Sequence, residues 1–186
     1  MIEARRIVDH RDAAKIRLRR KVVAVDPSGS DTDTGAQQGI VAVGEGFDGR
    51  FYVLRDASCS ESPDKWGKVA VELYHELEAD RIAAERNFGG DMVRFVIQAQ
   101  DKNVPVRLVT ASNGKHIRAE PIAALYEQRR VSHVGAFAAL EDQMCLMTHE
   151  GYQGGGSPDR LDALVWGLTE LAYPGRRPGF VQGVRY

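Results

Sequence analysis

The amino-acid sequence predicts an α/β domain in which a mixed β-sheet carries helices on both faces. Three short apolar segments follow one another early in the chain, "VVAVD", "GIVAVGEG" and "GRFYVLRDAS", and "EGFDG" forms a hairpin turn between the last two. Segments with helical spacing then alternate with further short apolar segments. This order indicates a three-strand antiparallel meander followed by parallel strands.

The elements after the meander follow from residue spacing and from residues typical of helix starts. The first helix begins at "SP", and Trp66, Val69, Leu73 and Leu77 recur at helical intervals. The remaining predicted elements are a strand ending at Glu85, a helix over 90–101, a strand over 104–111, a helix over 115–129, a short strand over 130–134, a helix over 137–147 and a helix over 157–172. The loop "HEGYQGGGS" is expected to be the most flexible stretch.

The composition is typical of one soluble globular domain, with 186 residues, 43% hydrophobic and 27% charged. The net charge of -1 counts mildly against a dedicated nucleic-acid-binding module, although a neutral total can hide a basic face. The sequence shows no apolar run of membrane-spanning length and no Walker-type phosphate loop. We expect a linker or N-terminal extension over 1–19, the folded domain over 20–173 and a flexible tail over 174–186.

Two carboxylates end predicted strands. Asp26 follows the apolar run "VVAV", and Glu85 follows "RIAA". In α/β sheets, ligands collect outside the carboxyl ends of the strands, which is the functional interpretation. Asp26 could instead begin an Asx-type turn with Ser28. A buried glutamate needs a partner, so Glu85 pairs either with a neighbouring arginine (Arg81 or Arg86) or with a metal ion.

Two further carboxylates open the last predicted helix. Asp159 and Asp162 are three residues apart and therefore share a face of that helix. Acids in a first helical turn also complement the helix dipole, which explains Asp159 well and Asp162 less well. Together, two acids at strand ends and two at a helix start suit Mg²⁺ or Mn²⁺, since carboxylates clustered in this way repel one another until a cation neutralises them.

Four segments resemble the C-terminal nuclease domain of phage large terminase subunits: "VVAVDPSG", "RIAAERNFGG", "VTASNGKHIRAEPIAALYEQRRVSHVG" and "GGGSPDRLDALVWGL". The resemblance covers residues 20–173 and implies a ribonuclease H-like fold. It also implies a two-metal-ion endonuclease that cuts concatemeric double-stranded viral DNA during genome packaging. We find no base-reading motif in the sequence, so cleavage is expected to show little sequence specificity.

The resemblance assigns the four acids to a site that holds two Mg²⁺ or Mn²⁺ ions. Asp26 is then the metal ligand of the first strand and Glu85 the second acid. The family's late motif often reads Asp-Asp-x-x-Asp-Ala, whereas this sequence reads "PDRLDA". Asp159 and Asp162 match its second and third acids, and Pro158 replaces the first. Which of these two aspartates is the dominant ligand stays open.

The resemblance also implies a DNA-binding surface and further partners. "NGKHIRAEPI" is similar to the family's basic stretch near DNA, which points to Lys115, His116 and Arg118. Arg129 and Arg130 are predicted to lie around the same acidic centre; a solvated helix face is the alternative for this basic stretch. The expected partners are double-stranded DNA, the terminase ATPase domain, the small terminase subunit and the portal, in the cytoplasm of the infected host cell. No membrane partner is expected, and the isolated domain is expected to be monomeric.

Two alternative functions remain at this point. A junction resolvase or ribonuclease H would share the fold and the acids but would act on branched or hybrid substrates. A non-catalytic docking module of the packaging motor would keep the fold without the activity, although the four retained acids argue against it.

Overall fold

The computed structural model describes the backbone of residues 5–6 together with residues 15–27, 37–86, 91–111 and 114–174. Within these residues the strands are β1 (Arg5–Arg6), β2 (Leu18–Asp26), β3 (Gly39–Gly46), β4 (Phe51–Asp56), β5 (Arg81–Glu85), β6 (Val106–Val109), β7 (Val131–His133), β8 (Met147–Thr148) and β9 (Gly151–Tyr152). The helices are α1 (Pro63–Glu76), α2 (Met92–Gln100), α3 (Lys115–Glu127), α4 (Ala138–Cys145) and α5 (Asp159–Ala172). The predicted tail lies outside the described residues after position 174, as does most of the predicted N-terminal extension.

Seven strands form one mixed sheet in the order β1-β7-β4-β3-β2-β5-β6. Strands β2, β3 and β4 pair in antiparallel fashion, whereas β5 is parallel to β2 and β6 is parallel to β5. On the other edge, β7 runs parallel to β4, and the short strand β1 runs parallel to β7. The predicted α/β sheet with an antiparallel meander followed by parallel strands is therefore confirmed.

Helices cover both faces of the sheet, as the sequence predicts. Alternate residues of β2 point to opposite faces. Val22 joins a core with α3, α4 and α5, while Val23 and Val25 join a second core with α1 and α2. Because both faces are covered, the central strands are apolar along most of their length, and strand ends are the places where polar side chains accumulate.

Two glycines allow helix α5 to lie directly on strands β2 and β3. A Cβ atom on Gly39 would lie 1.9 Å from the backbone oxygen of Asp159, and one on Gly167 would lie 2.8 Å from a methyl carbon of Val43. Gly39 is also the antiparallel partner of Asp26. The absence of these side chains therefore lets the first turn of α5 approach the sheet beside Asp26.

One region differs from the sequence-based expectation. Residues 149–157 are predicted as a flexible loop, but β8 and β9 form an antiparallel hairpin that reaches into this loop. Thr148 stabilises the turn, because its hydroxyl donates to the backbone oxygen of Gly151 at 2.9 Å and accepts from the backbone N–H of Glu150 at 3.2 Å. Strands of two residues carry no detectable alternation, so periodicity does not predict them.

A buried polar chain ties β7 to helices α3 and α4. His133 is fully buried, and the Tyr126 hydroxyl donates to its Nε2 atom at 2.7 Å. The Nδ1 atom of His133 lies 3.0 Å from the Glu141 carboxylate, to which it donates. Burial and the nearby charge of Glu141 raise the pKa of Tyr126 well above its ordinary value, so the hydroxyl stays protonated. This chain fixes α3 relative to the sheet.

No helix in the described part of the chain combines the length and apolar character needed to cross a membrane.

Replacing Gly39 with alanine is expected to destabilise the fold by about 1–3 kcal/mol, because the new methyl group would clash with the Asp159 backbone oxygen and push the start of α5 off the sheet. Urea unfolding measures the change. The matched control is Gly155→Ala, since a Cβ there meets nothing within 4 Å. Equal stability of the two variants would contradict the described seating of α5.

Candidate metal centre

Asp26 and Glu85 lie side by side at the carboxyl ends of two adjacent parallel strands. Their preceding residues, Val25 and Ala84, are paired in the register of β2 and β5. Both carboxylates are buried, with exposures of 4% and 7%, and a hydrogen bond between them contributes to the raised pKa of Asp26. The position at the strand ends that the sequence predicts for these two acids is therefore what the structure shows.

Helix α5 brings the other two acids to the same edge of the sheet. Asp159 and Asp162 lie in its first turn and are buried, with exposures of 6% and 3%. One carboxylate oxygen each from Asp26, Asp159 and Asp162 lie within 4.8 Å of one another. We call these three residues the aspartate triad. Three buried carboxylates this close are a set of ligands suited to a hard divalent cation.

Glu85 stands beside the triad and is held by two donors. Its Oε1 atom accepts from Arg118 Nη1 at 3.1 Å, and its Oε2 atom accepts from Trp166 Nε1 at 3.0 Å. The two arginines considered from the sequence have other partners: Arg81 pairs with Glu170 at 3.4 Å and Arg86 with Asp91 at 3.1 Å. These two donors use one lone pair on each oxygen of Glu85, so the carboxylate can still accept a metal ion once Asp26 is ionised.

Arg118 lies inside the acidic cluster, whereas the sequence predicts it on a DNA-facing surface. Its side chain is 4% exposed, and its guanidinium reaches Glu85 and, at 3.4 Å, the Oδ1 atom of Asp162. The guanidinium also lies 4.5 Å from the centre of the Trp166 ring, a cation–π contact. Arg118 is thus an internal counter-charge. No sequence pattern indicates the role of Trp166 or this burial, because α3 has the composition of a basic surface helix.

Lys115 lies at the rim of the cluster. Its ammonium group donates to the Oδ2 atom of Asp162 and, at 2.8 Å, to the hydroxyl of Ser157. The side chain remains 41% exposed, and the neighbouring His116 is exposed to solvent. The predicted basic stretch therefore splits: Arg118 points into the cluster, Lys115 spans its rim, and His116 lies outside it.

Arg129 and Arg130 do not flank the acidic cluster as the sequence predicts. They follow the C-terminal end of α3, whereas the cluster residue Arg118 lies in its first turn, so about 14 Å of helix separates the end of α3 from the cluster. The backbone oxygen of Arg130 accepts from Phe51 at the start of β4, which is the opposite edge of the sheet from Asp26. The correction has a simple cause, because a helix carries its two ends to opposite edges of the sheet that it crosses.

The electrostatics of the triad favour a bound cation. Burial raises the pKa of Asp26 well above its ordinary value, and the hydrogen bond to Glu85 and the charge of Asp162 raise it further. Burial likewise raises the pKa of Asp159 and of Asp162, and Lys115 opposes the rise in both cases. Carboxylates with raised pKa values need either a proton or a metal ion, and the triad geometry provides for the metal ion.

Most of the chain matches one protein family. The sequence model described as "Terminase RNaseH-like domain" matches residues 23–171, which include all four acids. The chain belongs to the terminase RNase H-like family. The family predicted from the four sequence segments is thereby confirmed. Among curated protein sequences, none matches this terminase domain significantly.

Solved structures agree with this assignment at the level of the fold. The large terminase nuclease of thermophilic phage G20c is 12% identical with a TM-score of 0.61, covering 81% of this chain and 82% of that one, and it has also been solved with bound cobalt and with bound zinc. The P22 large terminase nuclease domain is 14% identical (TM-score 0.58; 83% and 82% covered). The human cytomegalovirus terminase nuclease domain is 12% identical (TM-score 0.56; 88% and 95% covered). The predicted ribonuclease H-like fold of this terminase domain is confirmed.

Without metal, Asp26→Asn is expected to be more stable than the wild type at pH 8. The unfolded chain ionises Asp26 near its ordinary pKa of 3.8, whereas the buried carboxyl group keeps its proton to higher pH. The folded wild type therefore loses stability as the pH rises from about 4 through the raised pKa, and the asparagine variant lacks this loss. Urea unfolding in EDTA from pH 4 to pH 8 measures the difference, and a difference independent of pH would contradict the burial of an ionisable Asp26.

Proposed function

We propose that this domain is the metal-dependent endonuclease of a viral DNA-packaging terminase. It would cut concatemeric double-stranded DNA with little sequence specificity. The observation that carries the proposal is the aspartate triad, with carboxylate oxygens within 4.8 Å of one another at the strand ends of a terminase RNase H-like domain. Four buried acids in one place have an energetic cost that a purely structural domain would have no reason to keep.

The donor set fits Mg²⁺ or Mn²⁺, because both ions prefer carboxylate oxygens. The similar G20c nuclease solved with cobalt and with zinc supports divalent binding at such a fold. We propose that Asp26, Asp159, Asp162 and Glu85 would together hold two such ions. Such ions supply an activated water and stabilise the leaving oxygen of a phosphodiester.

The protein residues would divide the remaining work between them. The aspartate triad would supply ligand oxygens, while Arg118 and Trp166 orient Glu85 through its two hydrogen bonds. Supporting hydrogen bonds of this kind fix the direction of a ligand and its basicity. The packed apolar faces of α5 and β2 keep bulk water away from the buried side of the cluster.

DNA is proposed to approach from the open side of the cluster, where Lys115 and His116 are accessible to phosphates. Contacts made through phosphates carry no sequence information, so binding would weaken steeply with salt. We further propose the ATPase domain, the small terminase subunit and the portal as partners, in the cytoplasm of the infected host cell, with the isolated domain monomeric. Arg129 and Arg130, at the far edge of the sheet, would contact DNA only along a path that extends well beyond the site.

Asp26→Asn is expected to lower plasmid cleavage in Mn²⁺ by at least about 100-fold, because losing even an outer-shell partner of a metal ligand typically costs 10–100-fold. Agarose-gel assays of supercoiled plasmid measure the rate. The matched control is Asp142→Asn, an exposed acid on α4, which should cut at the wild-type rate. Wild-type cleavage by Asp26→Asn would refute the assignment of the site.

A substrate panel separates the alternatives in the same assay. The terminase proposal expects linear and supercoiled duplexes to be nicked, linearised and then degraded to a smear. Preferential cutting of four-way junctions or of RNA–DNA hybrids would favour a junction resolvase or a ribonuclease H. A fully folded wild type that cuts no substrate in Mn²⁺ or Mg²⁺ would favour a non-catalytic docking module.

A further inference from the structure

The acidic cluster already contains two positive charges of its own. With the triad and Glu85 ionised, four negative charges meet at one edge of the sheet. Arg118 and Lys115 contribute one positive charge each through their ion pairs. The charge that remains equals that of one divalent cation and not of two.

The two internal cations differ in their freedom to leave. Arg118 is 4% exposed, contacts Glu85, Asp162 and the Trp166 ring, and is enclosed by the core. Lys115 is 41% exposed, and its two partners are the buried Asp162 and the exposed Ser157. A lysine side chain has a flexible four-carbon stem, so its ammonium group can move to solvent without disturbing the fold. Arg118 is therefore the permanent counter-charge and Lys115 the exchangeable one.

Lys115 contacts one of the three triad carboxylates directly. Its ammonium group donates to the Oδ2 atom of Asp162, and Asp162 offers a ligand oxygen within 4.8 Å of those of Asp26 and Asp159. Its second partner, Ser157, lies two residues before the start of α5, whose first turn carries Asp159 and Asp162. The ammonium group therefore already engages a carboxylate that a bound cation would need.

We propose that the Lys115 ammonium group holds the place of one of the two divalent cations. The domain free of DNA then binds one ion, and the second enters only after Lys115 has left Asp162 and Ser157. This inference rests on the proposed metal centre. A DNA phosphate entering from the open side is the natural new partner for the released ammonium group, so DNA binding and completion of the metal centre are coupled.

Electron paramagnetic resonance tests this inference without any activity assay. Only free Mn²⁺ gives the sharp signal, so the loss of that signal counts the bound ions. The full chain free of DNA should bind about one Mn²⁺, and Lys115→Met should bind about two, the number that such a carboxylate site can hold. Lys115→Arg keeps the positive charge and should bind about one. The matched control is Lys102→Met, an exposed lysine in the turn before β6, which should also bind about one.

Circular dichroism establishes that each variant is folded before the titration. Two ions bound by the wild type, or one ion bound by both the wild type and Lys115→Met, would overturn the role of Lys115 and leave the metal centre intact. If neither protein binds any Mn²⁺, the metal centre itself fails, and this inference fails with it. A gain of one ion in Lys115→Met alone supports the inference.

Discussion

Repulsion among four buried carboxylates is the constraint on which the rest of this structure depends. Asp26, Glu85, Asp159 and Asp162 are each less than a tenth exposed, and like charges held together out of water repel one another. Arg118 offsets part of this cost from within the core by pairing with Glu85 and Asp162. The remaining negative charge is left for a cation. Without a cation, repulsion in the cluster lowers the stability of the fold. The same repulsion favours the binding of a metal ion.

The scaffold holds these charges in place through packing that tolerates little change. Helix α5 lies against β2 and β3 at two glycines, and the closest approach, at Gly39, is to the backbone of Asp159 itself. Strands β2 and β5 set the spacing of Asp26 and Glu85 through their parallel register. Covered on both faces, the sheet cannot relax to separate the acids. The packing of the core thus holds the four acids together against their mutual repulsion.

The sequence predicts best those parts of the site that depend on local pattern. Asp26 and Glu85 interrupt apolar runs, so their position at strand ends follows from the strands themselves. The burial of Arg118 depends on Glu85 and Trp166, which are distant in the sequence, and no periodicity on α3 indicates it. Arg129 lies away from the cluster for a related reason. The residues that follow α3 lie at the opposite end of the strands from the residues that begin it. The hairpin of β8 and β9 is too short to leave a pattern.

The central claim is that the triad is a cation site and not merely a buried acidic cluster, and anomalous diffraction from crystals soaked in Mn²⁺ tests it most directly. We predict an anomalous peak for an ion bound to oxygens of Asp26, Asp159 and Asp162, at roughly the 2.0–2.4 Å that is typical of hard divalent cations and carboxylates. Arg118 should stay on Glu85 in the same map. An ordered triad without a peak at millimolar Mn²⁺, or a peak only elsewhere on the molecule, would contradict the account.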